Sequence, residues 1–261
     1  MSVVEKHAAG TFSWVELGTN NSAAAKTFYS GLFGWQSQDM PMGPDQVYTM
    51  LLIDGKEVGA LYQLDKDMLS HGVSPHWLLY ISVASADETA ARAKTLGATI
   101  VKEPFDVFDV GRMAVIQDPS GAVFAIWEAR KHIGVRITGE SGTLCWSELQ
   151  TNDTRKALEF YPKLFGWSTK TGGIGLTEYT EIQHQGQSMG GVMKIPKEWG
   201  NVPAHWMPYF LVANCDSSAD KAKQLGASIL MGPMDIPNVG RFAVVRDPQA
   251  ASFAIFQPAA H

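Results

Sequence analysis

Apolar and polar positions alternate through Phe12-Ser13-Trp14-Val15-Glu16-Leu17, the two-residue period of a strand. The period then lengthens. Ala25, Phe28, Tyr29 and Leu32 recur at helical spacing behind a capping Asn21 or Ser22, and Gly34 marks the stop. Short strands fit 35–40, 46–53 and 56–63, with turn residues Pro41, Gly43, Pro44 and Asp54-Gly55 between them. The same order follows again. A strand over 76–84 leads to the capping pattern Ser85-Ala86-Asp87-Glu88. A helix through Ala90, Ala93 and Leu96 stops at Gly97, and strands follow near 99–103, 111–117 and 122–128. Asp118-Pro119-Ser120-Gly121 suits a type I turn between the last two.

This text occurs twice. Residues 11–35 align without gaps on 143–167, with 13 of 25 positions identical, and residues 76–127 align on 205–256 with about half identical. The offset falls from 132 to 129, so the copies differ in length only in the middle. The chain is a tandem duplication: an α+β protein with domains at 1–132 and 133–261, each made of two βαβββ modules. The four modules form curved mixed sheets with helices on the convex face. The join, 129–142, is a polar, glycine-containing strap over the surface.

Composition narrows the classes. With 21 basic and 26 acidic side chains, the net charge of −5 gives no broad basic face for nucleic acid. Apolar residues make up 45% of the chain, enough to bury a core, and no apolar run approaches the roughly 20 residues of a membrane span. The opening residues lack a signal-peptide core, and Cys145 and Cys215 have no metal or disulfide spacing, so a cytoplasmic protein with reduced cysteines is expected. A monomer or homodimer is expected, with no nucleic-acid or membrane partner. His7, His71, His132, His184 and His261 share no ligand spacing and read as surface residues, and Met40, Met42 and Met50 read as packing. Gly172-Gly173-Ile174-Gly175 lacks the Lys-Ser/Thr of a phosphate loop and reads as a hairpin turn.

Residues 14–35, the strand beginning His76-Trp77, the Gly111-Arg112 pair and the segment from Asp118-Pro119 to Trp127 together resemble the vicinal oxygen chelate superfamily. That superfamily includes glyoxalase I, bleomycin-resistance proteins and extradiol dioxygenases. The resemblance covers both copies and is nearest to two-domain glyoxalase-like bacterial proteins labelled hydroxylases. It implies paired modules curling into a cup whose concave face holds the ligand. It also implies a divalent metal held from four positions, which fall here on Trp14, Ala60, Leu78 and Ala125, and on Trp146, Gly191, Met207 and Ala254. None of these side chains is a suitable donor for a hard or borderline cation. No cofactor is therefore expected, and a divalent metal only with a non-standard ligand set.

Strand alternation puts other groups in the cup. If Trp14 points in, so do Phe12 and Glu16. If Leu78 points in, so do His76 and Tyr80. Glu16 with His76, and Glu148 with His205, are then candidate acid–base pairs, or buried polar pairs that satisfy themselves. Arg112 and Arg241 are candidates for a ligand anion at the rim, or surface ion pairs with Asp106 or Asp109. Phe12, Trp14, Tyr80, Trp127, Trp146, Tyr209 and Phe256 would line an aromatic pocket, or fill it. Two functions remain open: a metal-independent binder of a small molecule, and a glyoxalase-like lyase, isomerase or hydroxylase acting through a Glu–His pair. One cup could also be filled and serve only as structural partner to the other.

Overall fold

The computed structural model describes residues 2–44, 46–174 and 177–259. The first copy runs β1 (Ser2–Val3), β2 (Phe12–Thr19), α1 (Ser22–Phe33), β3 (Gln36–Gly43), β4 (Gln46–Ile53), β5 (Lys56–Gln63), α2 (Lys66–Ser70), β6 (His76–Ser82), α3 (Ala86–Thr95), β7 (Thr99–Val107), β8 (Gly111–Gln117) and β9 (Val123–Ala129). After β10 (Ile137–Thr138) the second copy runs β11 (Leu144–Thr151), α4 (Thr154–Phe165), β12 (Ser168–Ile174), β13 (Thr177–His184) and β14 (Gln187–Lys194). A 3-10 turn (Lys197–Trp199) then leads to β15 (His205–Leu211), α5 (Cys215–Gln224), β16 (Ser228–Ile236), β17 (Gly240–Arg246) and β18 (Ser252–Pro258). The hairpin turn expected at 172–175 begins inside β12, and Gly175 lies outside the described residues, as does His261.

Each copy closes one eight-stranded sheet. The strand orders are β3-β4-β5-β2-β6-β9-β8-β7 and β12-β13-β14-β11-β15-β18-β17-β16. The central pairs, β2 with β6 and β11 with β15, are antiparallel; the pairs beside them, such as β2 with β5 and β6 with β9, are parallel. A pseudo-two-fold axis therefore relates the modules within each sheet.

Helix ends are built as the sequence implies. Asn21 Oδ1 accepts the Ala24 amide at 3.0 Å, and Ser85 Oγ accepts the Glu88 amide at 3.2 Å. Gly34 closes α1 in the left-handed region at φ 76°. No described helix is long and apolar enough to cross a membrane.

The helix-side faces of both sheets meet in one shared core. Val15, Leu17, Trp77, Leu79 and Ile81 from the first sheet pack there with Trp206, Phe210, Phe253 and Ile255 from the second. The contacts across this core are reciprocal. Tyr29 donates to Asp247 Oδ2 at 2.9 Å, and Tyr161 to Asp118 Oδ2 at 2.7 Å. Trp35 Nε1 donates to the Gly142 carbonyl, and Trp167 Nε1 to that of Gly10. The Asp-Pro turns thus do more than reverse the chain: each aspartate also binds its own turn's amides and takes a tyrosine from the other copy. These pairs satisfy buried polar groups that would otherwise cost stability.

Candidate functional site

With their helix-side faces packed together, the sheets present two concave faces, cup one and cup two. Trp14, Ala60, Leu78, Tyr80, Ala125 and Trp127 cluster on cup one, with Tyr48, Met50 and Met113 against them. Met207, Tyr209, Val244 and Ala254 cluster on cup two, with Cys145, Trp146, Phe242 and Phe256. Alternation along β2 and β6 therefore holds for Trp14, Glu16, Leu78 and Tyr80.

The polar centre of cup one is Glu16. It is 7% exposed, its Oε1 accepts the Tyr80 hydroxyl at 2.6 Å and its Oε2 accepts that of Tyr48 at 2.8 Å. Trp14 Nε1 donates to the Tyr48 oxygen at 3.0 Å, so a tryptophan, a tyrosine and a carboxyl form a directed chain. Cup two repeats it. Trp146 Nε1 donates to Tyr179 at 2.8 Å, Tyr179 hydrogen-bonds Glu148, and Tyr209 donates to Glu148 Oε1 at 3.0 Å. Gln150 Nε2 adds a donor to the same oxygen at 2.8 Å. Burial raises both carboxyl pKa values, and the hydrogen bonds only partly offset it. Tyr48, Tyr179 and Gln150 were not anticipated. A signal existed for the tyrosines: the pair Tyr48-Thr49 is repeated as Tyr179-Thr180, in the middle segment where the copies' lengths diverge.

Three expectations are corrected. Phe12 does not face cup one. The register slips between Phe12↔Ile81 and Trp14↔Tyr80, a bulge at Ser13 that turns Phe12 to the other face, where its ring lies 5.2 Å from Trp206 and 5.7 Å from Trp167. Glu16 and His76 do not form a hydrogen-bonded pair. His76 stands opposite Gly18 and its Nδ1 bonds the Ser74 carbonyl at 2.8 Å; His205 stands opposite Gln150 and bonds that of Pro203 at 2.9 Å. Tyrosine hydroxyls have taken the carboxyl oxygens instead. Arg112 and Arg241 share a face with the core residues Ala114 and Ile116, and Ala243 and Val245, away from the cups. Arg112 clamps Asp87 and Asp106; Arg241 clamps Asp216 and Asp235.

Two histidines expected at the surface help to cover cup one. The His132 ring meets Trp14 edge-on at 4.6 Å and its carbonyl accepts Trp127 Nε1 at 2.8 Å, while His7 bonds the Val135 carbonyl at 3.0 Å. His184 packs beside Gly10 with both ring nitrogens buried and without a hydrogen-bond partner among the described residues; His71 is exposed as expected. Residues 130–136 thus lie on cup one as a strap. Val135 joins its cluster and donates its amide to the Ser13 carbonyl at 2.8 Å. Gly134 sits at φ 111°, where an added Cβ would come 2.1 Å from that carbonyl oxygen, so only glycine fits. Ala260 and His261, aligned with Lys131 and His132, lie outside the described residues.

The model of the Glyoxalase/Bleomycin resistance protein/Dioxygenase superfamily matches residues 11–126 and again 143–254. The chain belongs to this superfamily. It is 38% identical over 252 residues to "Putative glyoxylase CFP32" of Mycobacterium tuberculosis (strain CDC 1551 / Oshkosh), covering 96% of this chain and 95% of that protein. It is 33% identical over 264 residues to "Anthracycline biosynthesis protein DnrV" of Streptomyces peucetius, covering 97% and 94%. The Mn(II)-bound glyoxalase from Novosphingobium aromaticivorans shares the fold, with a TM-score of 0.65 at 14% identity over 95% of this chain and 82% of that one.

Superfamily enzymes of that kind imply a metal, and the donor set can be tested against one. The positions concerned do face the cups, but they carry Trp14, Ala60, Leu78 and Ala125, and Trp146, Gly191, Met207 and Ala254. Among the described residues no three His, Cys, Asp or Glu side chains gather where they could hold an ion. Glu16 and Glu148 are engaged by neutral donors. These residues do not fit a divalent cation.

Proposed function

We propose that this protein is a metal-independent small-molecule binder whose aromatic concave face takes a flat, oxygen-bearing ligand. The observation that carries the reading is the exchange on that face. Where superfamily enzymes hold an ion, both copies have apolar residues, and beside them stands a buried carboxyl fixed by tyrosine hydroxyls. Rings for contact area and a few oriented polar groups are what recognition of such a ligand needs. The anthracycline-biosynthesis names of two relatives agree with a flat, oxygenated ligand class.

The test is a titration of tag-free protein with Mn(II), Fe(II), Ni(II) and Zn(II), followed by tryptophan fluorescence, alongside a panel of flat phenols and quinones. The expected result is no stoichiometric metal, and saturable quenching by panel members without product. One metal ion per domain overturns the reading.

A second reading, a glyoxalase-like lyase or hydroxylase, draws on the histidines. In His76 and His205 the Nδ1 proton is held by a backbone carbonyl, which leaves Nε2 as a proton acceptor. Product formation that is lost in His205→Gln while binding persists would favour it.

A further inference from the structure

The duplicated cups differ in what lies on them, and the difference identifies a site. In cup one the bulge residue Ser13 is fully buried beneath Gly134 and Val135, and Trp14 and Trp127 are closed off at 4% and 6% exposure. In cup two the aligned bulge residue Cys145 is partly exposed, as are Trp146, Phe256 and Phe242. The described residues of the cup-two cluster come from the sheet's own strands alone.

The strap shows what such a face accepts. It presents an imidazole ring edge-on to Trp14, an isopropyl group and a carbonyl oxygen, while its charged side chains, Arg130, Lys131 and Arg136, are paired with Asp106, Asp109 and Glu57. Cup two adds a polar pair that cup one lacks. Gln150 stands opposite His205, where cup one has Gly18 opposite His76. The Pro203 carbonyl can only accept, so His205 Nδ1 carries the proton and Nε2 offers a lone pair. Gln150, itself buried, spends an amide N–H on Glu148 and keeps its carbonyl oxygen as a second acceptor on the residue paired across the strands with His205.

We infer that cup two alone is the ligand site, and that it takes an uncharged flat ring system carrying a hydroxyl group, seated where the strap lies on cup one. The hydroxyl donates to His205 Nε2 or the Gln150 carbonyl, and the ring lies against Trp146, Phe242 and Phe256. This rests on the reading of the protein as a binder, and the experiment separates the two.

The probe is 2-naphthol, and the reporter is Cys145. The full-length protein is treated with N-ethylmaleimide at about pH 8, where burial keeps the thiol largely protonated and modification slow enough to time. Peptide mass spectrometry then gives the rate at each cysteine. Cys215, the buried first residue of α5, serves as the internal control. Saturating 2-naphthol is expected to slow Cys145 modification about tenfold or more and to leave Cys215 unchanged, with calorimetry giving one equivalent per chain. Naphthalene, lacking the hydroxyl, binds about tenfold more weakly, and Gln150→Leu removes that preference.

Two equivalents, or binding that leaves the Cys145 rate unchanged, overturn the assignment to cup two while the binder reading stands. Binding of naphthalene as tight as that of 2-naphthol overturns the hydroxyl recognition. No binding of 2-naphthol overturns the ligand class, and if stoichiometric metal uptake accompanies it the binder reading falls as well. The protection measurement uses unaltered protein, so a Gln150→Leu variant that fails to fold does not spare the inference.

Discussion

Cup one and cup two come from the same repeated text and reach different ends. Cup one is closed by residues 130–136, with Val135 in its cluster and His132 against Trp14, and its carboxyl receives one tyrosine on each oxygen. Cup two keeps Trp146, Phe242 and Phe256 partly exposed, and its carboxyl gains Gln150 as a further donor. Two exchanges account for the polar difference. Gly18 in the first copy leaves space into which the Tyr62 hydroxyl reaches, where the second copy places Gln150. Ala60 in the first copy is Gly191 in the second, where an added Cβ would come 2.1 Å from the Tyr179 hydroxyl. Duplication thus leaves the shared core reciprocal and lets the concave faces diverge, because each face depends on only a few side chains.

The strongest way to break the comparison is Gly134→Ala. A left-handed backbone and a blocked carbonyl oxygen together are expected to cost about 3 kcal/mol or to lift the strap. Urea denaturation gives the loss, and acrylamide quenching reports new exposure at Trp14. Cys145 alkylation in cup two should not change. If Gly134→Ala is neutral in both assays, the strap does not seal cup one.

Next in size is Tyr80→Phe against Tyr209→Phe. Removing Tyr80 leaves Glu16 Oε1 buried without its donor, a loss of about 1–3 kcal/mol. Tyr209→Phe should cost less, because Gln150 still donates to the same oxygen. Equal losses would mean that Gln150 contributes nothing to holding Glu148.

The pH dependence is smaller and sharpens the same contrast. Both carboxyls have a folded-state pKa above the ordinary 4.5, chiefly through desolvation. The stability each contributes is therefore full below that value and lost as pH rises through the folded pKa. Glu16→Gln and Glu148→Gln should each flatten the fall of Tm above about pH 4.5. A steeper fall in either variant reverses the assigned direction.

Most of this architecture was legible because the two-residue and helical periods survive in both copies. Val15, Leu17, Trp77, Leu79 and Ile81 reach the core, and Trp14, Glu16, Leu78 and Tyr80 reach the cup, as alternation requires. Alternation fails at Phe12 because one inserted residue, Ser13, reverses the face of everything before it, and nothing in the local composition marks the bulge. The Glu–His pairing fails for a different reason. Face and proximity are not partnership: Tyr80 and Tyr209 on the central strands take one carboxyl bond each, and the other tyrosines, Tyr48 and Tyr179, come from β4 and β13, beyond the reach of an argument confined to the two central strands. The strap was expected from its length, but a count of residues cannot show that Gly134 lets it drop onto Ser13.

The smallest effect concerns the arginines, and it sharpens the comparison by being equal in both copies. Arg112 holds Asp87 at 2.7 Å and Asp106 at 3.0 Å, and Arg241 holds Asp216 at 2.8 Å and Asp235 at 3.0 Å. Each clamp ties the start of a helix, α3 or α5, to the adjoining hairpin. All four aspartates are solvent-exposed, so screening leaves such pairs weak. Arg112→Met and Arg241→Met should each lower Tm slightly, by similar amounts, and the difference from the parent protein should shrink as salt is raised. Affinity for 2-naphthol should be unchanged in both, because the guanidinium groups lie on the face opposite the cups. A marked loss of affinity in Arg241→Met alone would place that arginine at the ligand and would require the rim of β17 to turn toward cup two when the ligand is bound.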